Sequence, residues 1–331
     1  MRSSTIKDVA QEANVSTNTV SRALNNKPDV SPETRKRVLS VAKKLNYSPN
    51  HLARSLISKR TGTLGVVVTD NANPFYARVI KGIEDAVREH GYNIILCNTD
   101  EDSEREADAI RLLQQKRVDG ILITPVQKDY QYLEDLKQYQ NPFVLLNRHP
   151  KNEQMDYVIN DNAYGANLAV EHLISIGRMR IGYICGPPTI SSVQERLQGC
   201  QTAMQVADLR PDSLLVERTN LKMEGGFSAM QKLLDNDAPD GIFAYSDILA
   251  IGAMKALLDA NLRIPEDVAL IGYDDIEFAG MLEVPLTTVR QPRYRIGQEA
   301  ANILIDKING TSGENVKSVV LRPELILRKS A

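Results

Sequence analysis

From Thr63 onward the chain alternates two patterns. Short apolar, strand-like runs, TLGVVVT, YNIILCN, VDGILIT and PFVLLN, are separated by stretches such as YARVIKGIEDAVREHG, where apolar residues recur every three or four positions. A second series follows with RIGYICG, DGIFAY and VALIGYDD. Runs this short and rich in Val and Ile predict strands buried on both faces, and the intervening period predicts helices. The expectation is a parallel sheet covered by helices, built twice.

The first sixty residues keep only the helical period, in shorter pieces. In TIKDVAQEANVSTNTVSRALNN, Ile6, Val9, Ala10 and Ala13 share one face, and Thr5 with Asp8 forms a capping-box pattern. Asn14 and Val15 break the helix. Ser16 then caps a second helix that buries Val20, Ala23 and Leu24 and turns Thr17, Asn18, Ser21 and Arg22 outward. A third begins at SPETRKRVLSVAKKL, with Ser31 as cap, Pro32 at the first helical position, and Val38, Leu39, Ala42 and Leu45 inward. Three short helices around a small core predict a helix-turn-helix domain.

Charge separates the same two regions. Residues 1 to 60 carry twelve Lys or Arg and four Asp or Glu, net +8; the remaining residues carry 28 and 38, net −10. A basic module on an acidic body suits phosphate binding by counterion release, although a solvated basic face would carry the same charge. The start, MRSSTIKDVAQEANVS, turns polar before an export signal's apolar core could form, and no run is long enough to span a bilayer. Cys97, Cys185 and Cys200 lie far apart without metal-ligand spacing, which fits packing roles in a reducing, cytoplasmic setting.

The stretch IKDVAQEANVSTNTVSRALNNKPDVSPETRKRVLSVAKKLNYSPNHLARSL closely resembles, without a gap, the DNA-binding head of the lactose and galactose repressor (LacI/GalR) family, and the likeness continues through the body. The resemblance implies three parts: a helix-turn-helix DNA-binding domain at 1–48, a hinge helix and linker at 49–61, and an effector-binding and dimerisation domain at 62–331. That last part would be a two-lobed periplasmic-binding-protein-like body of two doubly wound parallel sheets. Its N-lobe would span about 62–160 and 291–320, its C-lobe about 161–290 and 321–331. The second helix would enter the major groove, with Thr17, Asn18 and Arg22 reaching base edges. Thr5, Ser16, Thr19, Ser21, Asn25 and Ser31 would meet phosphates, with Ser16 and Ser31 also capping.

Within the hinge, Leu52, Ala53, Leu56 and Ile57 have helical spacing, but a helix this short is marginal alone, since roughly 12 to 15 residues are needed in water. The resemblance supplies the same segment of a second subunit as partner, over the minor groove. It implies DNA contacts from Asn50, Ala53 and Leu56, with Leu56 the wedge between base steps.

No G-x-G-x-x-G, G-x-x-x-x-G-K, G-x-S-x-G or H-E-x-x-H pattern is present, and His51, His90, His149 and His172 lack metal-site spacing. Neither a catalytic residue nor a metal is expected. The acid-rich TDEDSEREAD is explained by acids favouring a helix start.

Position by position, the resemblance places Asn73, Phe75, Tyr76, Asn147, Arg148, Arg196, Asp247, Asp274 and Gln291 in a cleft between the lobes. Two arginines and two aspartates cancel, and with an aromatic platform the set suits a sugar or polyol effector better than a nucleotide or phosphate. Asn147, Ser246 and Leu221 depart from residues common among sugar-binding members. The chain closes on ELILRKSA without a heptad tail, so a homodimer on double-stranded, palindromic operator DNA is the expected assembly. The function implied is a transcriptional regulator, most often a repressor. The alternative is a regulator gated by a phosphorylated carrier protein, for which Asn302 and its neighbours in GQEAANILIDKI lack the basic residue to grip a phosphate.

Overall fold

The structure, a computed structural model, describes residues 4–47, 60–127, 138, 141–150, 154–311, 313 and 315–331. It divides into two compact units, Met1–Thr61 and Gly62–Ala331.

The first unit holds α1 (Ile6–Glu12), α2 (Thr17–Leu24) and α3 (Pro32–Lys44). Each start is capped by a side chain: Thr5 and Asp8 make a reciprocal capping box, the Ser16 hydroxyl accepts from the Thr19 amide at 3.0 Å, and the Ser31 hydroxyl accepts from the Thr34 amide at 3.2 Å. Asn14, at φ 50°, turns the chain between α1 and α2, a left-handed position that Asn tolerates. Val9, Ala10, Ala13, Val20, Ala23, Val30, Val38 and Ala42 form the core. Leu39 does not join it. Expected inward, it is 48% exposed, because Val38 and Ala42 set the buried face and Leu39 lies about 100° around the helix from Val38.

The second unit contains two six-stranded sheets. Its elements in order are β1 (Thr63–Val68), α4 (Pro74–Glu89), β2 (Asn93–Asn98), α5 (Ser103–Gln115), β3 (Gly120–Ile123), β4 (Phe143–Leu146), β5 (Tyr157–Asn160), α6 (Asn162–Ser175), β6 (Ile181–Cys185), α7 (Ser191–Val206), β7 (Leu215–Arg218), α8 (Met223–Asp237), β8 (Gly241–Ala244), α9 (Asp247–Asp259), β9 (Ala269–Asp274), β10 (Thr287–Arg290), α10 (Arg293–Asn309), β11 (Ser318–Leu321) and β12 (Glu324–Ile326). The first sheet runs β11-β5-β4-β3-β1-β2 and the second β12-β10-β9-β8-β6-β7.

The chain passes between sheets after β5, after β10 and between β11 and β12. Among the described residues every pairing is parallel except β10 with β12, so the two doubly wound parallel sheets are as expected apart from that one edge strand. The cause is the short link: Arg322 and Pro323 alone separate β11 from β12. The chain leaves the first sheet at its strands' carboxyl ends and enters the second from the same side, so it must run backwards there.

Helices cover both faces of each sheet. The core between the first sheet, α4 and α10 includes Leu64, Val66, Val79, Ile83, Leu122, Ile296 and Leu304. Here α10, though late in the chain, packs on α4, and two glycines let them meet closely. A Cβ on Gly82 would stand 2.0 Å from the Tyr294 carbonyl oxygen, and one on Gly297 2.0 Å from that of Val79. The second sheet is backed by a core around Tyr183, Phe243, Ile271 and Tyr273 and by another around Ile242, Leu249, Leu257 and Leu270.

Candidate functional sites

In the head, the outward face of α2 presents Thr17, Asn18 and Arg22, all exposed, with Thr19 and Ser21 half-buried beside them. Arg22 is not loose: its Nε donates to Asp29 at 2.6 Å. Thr5, Ser16, Asn25 and Ser31 are exposed, and Thr5, Ser16 and Ser31 are the three helix caps. Their amide-bearing helix starts are suited to meet phosphate oxygens. Asn50, Ala53 and Leu56, with the hinge pattern around them, lie outside the described residues.

In the body, a cavity of about 490 Å³ opens where the carboxyl ends of both sets of strands face each other. Eight of the nine expected effector residues line it: Asn73, Phe75, Tyr76, Asn147, Arg148, Arg196, Asp274 and Gln291. Asp247 does not. The cap of α9 is Ser246, which lines the cavity, whereas Asp247 at the first helical position turns inward and is fully buried. Its carboxyl meets Thr288 Oγ1 at 2.5 Å and accepts from the Ile276 amide at 2.8 Å, so it ties α9 to β10 and to the loop that follows β9. Burial and the neighbouring Asp274 raise its pKa well above the carboxylate range.

From the first sheet's side, Asn73 caps α4 with its side-chain amide oxygen, which accepts from the Phe75 amide at 3.0 Å, and Phe75 and Tyr76 lie edge to face at 5.1 Å. Tyr76 is anchored by Thr69 at 2.8 Å between hydroxyls. Asn147, at φ 59°, has both side-chain amide atoms buried without a hydrogen-bond partner. Such a group costs free energy until something in the cavity meets it. Arg148 is paired instead: its two terminal nitrogens donate to the two Glu101 oxygens at 2.8 and 2.6 Å, and one of them also reaches the Pro125 and Val126 carbonyls at 3.1 and 3.3 Å. It is a wall of the cavity whose charge is already met.

From the second sheet's side, the Arg196 guanidinium lies 3.5 Å from the Tyr273 ring centroid and 4.3 Å from that of Tyr245. Its Nε donates to Asn162 at 3.0 Å and one terminal nitrogen to the Tyr245 carbonyl. Asp274 sits at φ 122°, outside the usual range for a residue with a side chain, and accepts from Gln291 at 2.6 Å. Burial lifts its pKa to about 6 against the pull of Arg196, Arg293 and Gln291.

Residues not singled out from sequence also line the cavity: Thr69, Asp70, Glu101, Ser192, Lys222 and Tyr245 among them. Thr69 and Tyr245 directly follow strands, a position that marks cleft residues in such sheets. Glu101 lay in the acid run read as a helix start. Only part of that run does this: Asp102 caps α5, while Glu101 turns to Arg148. The simple cancellation of two arginines by two aspartates therefore does not describe the cavity.

Among the described residues no group of His, Cys, Asp and Glu could hold a metal, and no helix is long and apolar enough to cross a membrane. The three cysteines are free thiols, Cys185 and Cys200 buried.

Residues 5–50 match the family described as bacterial regulatory proteins, lacI family, and residues 61–325 match periplasmic binding proteins and sugar binding domain of LacI family. The chain is 38% identical over 331 residues to the HTH-type transcriptional repressor PurR of Haemophilus influenzae strain PittEE, covering 98% of each. It is 38% identical over 330 residues to the ribose operon repressor of Escherichia coli strain K12, covering 99% of each. Its fold superimposes with TM-score 0.88 on the crystal structure of the lac repressor dimer bound to operator and the anti-inducer ONPF, at 27% identity and 99% coverage of both chains.

Proposed function

Because the chain belongs to the lacI family of bacterial regulatory proteins and is a DNA-binding transcriptional regulator, we propose that it works as a cytoplasmic homodimeric repressor on a palindromic operator, released or recruited by an uncharged sugar or polyol. It acts by binding, without catalysis. In each head α2 lies in the major groove, Thr17, Asn18 and Arg22 read base edges, and Thr5, Ser16, Thr19, Ser21, Asn25 and Ser31 hold phosphates. Between head and body, Asn50, Ala53 and Leu56 meet the minor groove, with Leu56 as the wedge.

The effector reading rests most on Asn147. An amide in the cavity wall with its donor and its acceptor both unmet suits, once its side chain turns toward the cavity, a ligand group that can give and take at once, as a hydroxyl does. The charges around it point the same way. Arg148 is already bonded to Glu101, Arg196 to Asn162 and Tyr245, and Asp70, Asp100 and Glu101 add negative charge to the cavity rim and wall. A phosphate would find Arg148 already paired with a carboxylate, and only one terminal nitrogen of Arg196 left to meet it. Phe75 and Tyr76 offer apolar faces against a ring's C–H surface.

The test is a thermal-shift screen of the full chain against neutral sugars and polyols beside their phosphorylated forms. A true effector at 100 times its dissociation constant adds about 2.7 kcal/mol. The Asn147→Ala variant should lose that response while keeping its unliganded melting temperature. Stabilisation only by phosphorylated sugars or nucleotides would overturn the assignment. By linkage, an effector that weakens operator binding must itself bind the operator-bound form more weakly, and a corepressor the reverse.

A further inference from the structure

An acid on a DNA-facing surface repels phosphates, so each acid of the head needs a reason to be there. The head has four. Asp8 completes the capping box of α1, Glu12 pairs with Lys44 at 2.8 Å, and Glu33 sits in the first turn of α3. The fourth, Asp29, lies in the loop after α2 and accepts from Arg22 Nε at 2.6 Å.

We propose that Asp29 is a positioning residue that aims Arg22 at a base edge. The inference rests on Arg22 being a base-reading residue, as proposed above. Three observations carry it. First, the bond takes the Nε side of the guanidinium and leaves both terminal nitrogens without a protein partner among the described residues. That is the edge a bidentate contact to guanine O6 and N7 requires. Second, Asp29 is itself held in place. Val30 beside it is buried in the head's core, and Arg35 from α3 donates to the Lys27 carbonyl at 2.5 Å, so both ends of this short loop are fixed. Third, the pair is about half exposed on each side, where an ion pair contributes little to folding. Its effect grows only where water leaves, as it does when α2 enters a groove.

A supported arginine has fewer orientations to lose on docking, and it keeps its planar fork in the reading plane. Asp29 therefore acts on specificity through Arg22 and touches no base itself.

The experiment selects operators from a double-stranded DNA library randomised over about 20 base pairs, two half-sites' worth, using full-length wild type, Arg22→Ala, Asp29→Ala and Asp29→Asn. Helix content by circular dichroism is compared for all four. Arg22→Ala should erase the guanine preference at one position of each half-site. Asp29→Ala should lower the preference at that same position by about fivefold to tenfold and leave the others unchanged, and Asp29→Asn, which keeps an acceptor, should fall between. If Arg22→Ala loses the position and Asp29→Ala keeps it, the inference is wrong and the reading of Arg22 stands. If Arg22→Ala changes no position, the reading itself fails. A uniform gain in affinity for Asp29→Ala with preferences intact would make Asp29 a mere repeller of phosphates. Loss of preference at every position, or of helix content, would make it a support of the fold, and either result overturns the proposal.

Discussion

Replacing Glu101 with Gln should destabilise the body out of proportion to the chemical change. Arg148 is 4% exposed at its side chain and Glu101 29%, and the two share a bidentate pair. The guanidinium cannot shed its proton in a protein. With Gln in place, one oxygen still accepts, but the amide nitrogen faces a donor and the positive charge stays buried without its counter-charge. Breaking a fully buried pair from one side costs about 3 to 5 kcal/mol. Because Glu101 is partly exposed and the Pro125 and Val126 carbonyls still accept from Arg148, about 2 kcal/mol is the reasoned figure here.

Urea unfolding of the full chain, followed by far-ultraviolet circular dichroism and by tyrosine emission, reads this directly, since the sequence has twelve Tyr and no Trp. With a slope near 3 kcal/mol per M, the midpoint should drop by about 0.7 M. A second variant completes the cycle. Glu101→Leu with Arg148→Met removes both charges and should recover most of the loss, short of the bonds to the two carbonyls. The double variant should also keep its response to the effector, since Glu101 already meets the Arg148 charge. A cost below about 0.5 kcal/mol for Glu101→Gln would refute the burial argument. Recovery of stability with loss of effector response would return Arg148 to the ligand-contacting set.

Three further outcomes follow from the same physics. Gly297→Ala puts a methyl group against the Val79 backbone and should cost about 1 to 3 kcal/mol, seen as a lower melting temperature; an unchanged melt would mean α4 and α10 can part freely. Asp274 has a folded pKa raised to about 6 from 3.8, so its contribution to stability is full below about pH 4 and is lost as pH rises to 6. Asp274→Asn should therefore flatten that part of the stability profile by on the order of 2 kcal/mol, and parallel profiles for variant and wild type would contradict the burial. Leu56→Ala should weaken binding to a selected operator far more than to random duplex DNA, by a competition gel-shift; equal losses would exclude the wedge.

Much of this architecture could be read from the sequence because its strands are buried on both faces. The centres of runs such as TLGVVVT and VDGILIT, LGVVV in β1 and GILI in β3, have no polar position to obscure them. The later strands are harder. β7, where two apolar residues, Leu215 and Val216, are followed by two charged ones, Glu217 and Arg218, is an edge, and β11 and β12 are four and three residues long with exposed positions. Nothing in their periodicity tells an edge strand from a loop. In the cleft, strand ends gave the neighbourhood and missed the aim. Ser246 and Asp247 are adjacent, yet one faces the cavity and the other the core, since Ser246 is the extended N-cap and Asp247 the first helical residue. Glu101 was masked differently: its partner Arg148 is 47 residues away, and charge patterning sees only near neighbours.

The contacts around Arg196 show how a ligand could act on more than its own cavity. Arg196 donates to Asn162, whose amide donates to Glu195 at 2.8 Å; Glu195 meets His149 Nε2 at 3.0 Å, and His149 stacks on Tyr157 of β5. Gln127 closes the chain by donating to the His149 carbonyl and accepting from the Ser191 amide. Asn162 begins α6, directly after the chain passes from the first sheet to the second, while His149 and Gln127 belong to the first sheet's side and Glu195 and Ser191 to the second. The same seam that joins the lobes thus holds the cavity's arginine. By contrast, two further pairs join the two sides but contribute little: Arg78 with Glu277 is largely exposed, and Lys222 with Asp70 is long at 3.6 Å. A ligand that bridges Asn147 and Arg196 makes its full set of bonds in one spacing of the lobes only. That difference in affinity between spacings, typically worth about 1 to 3 kcal/mol in coupled systems, is all that a regulatory change of state requires.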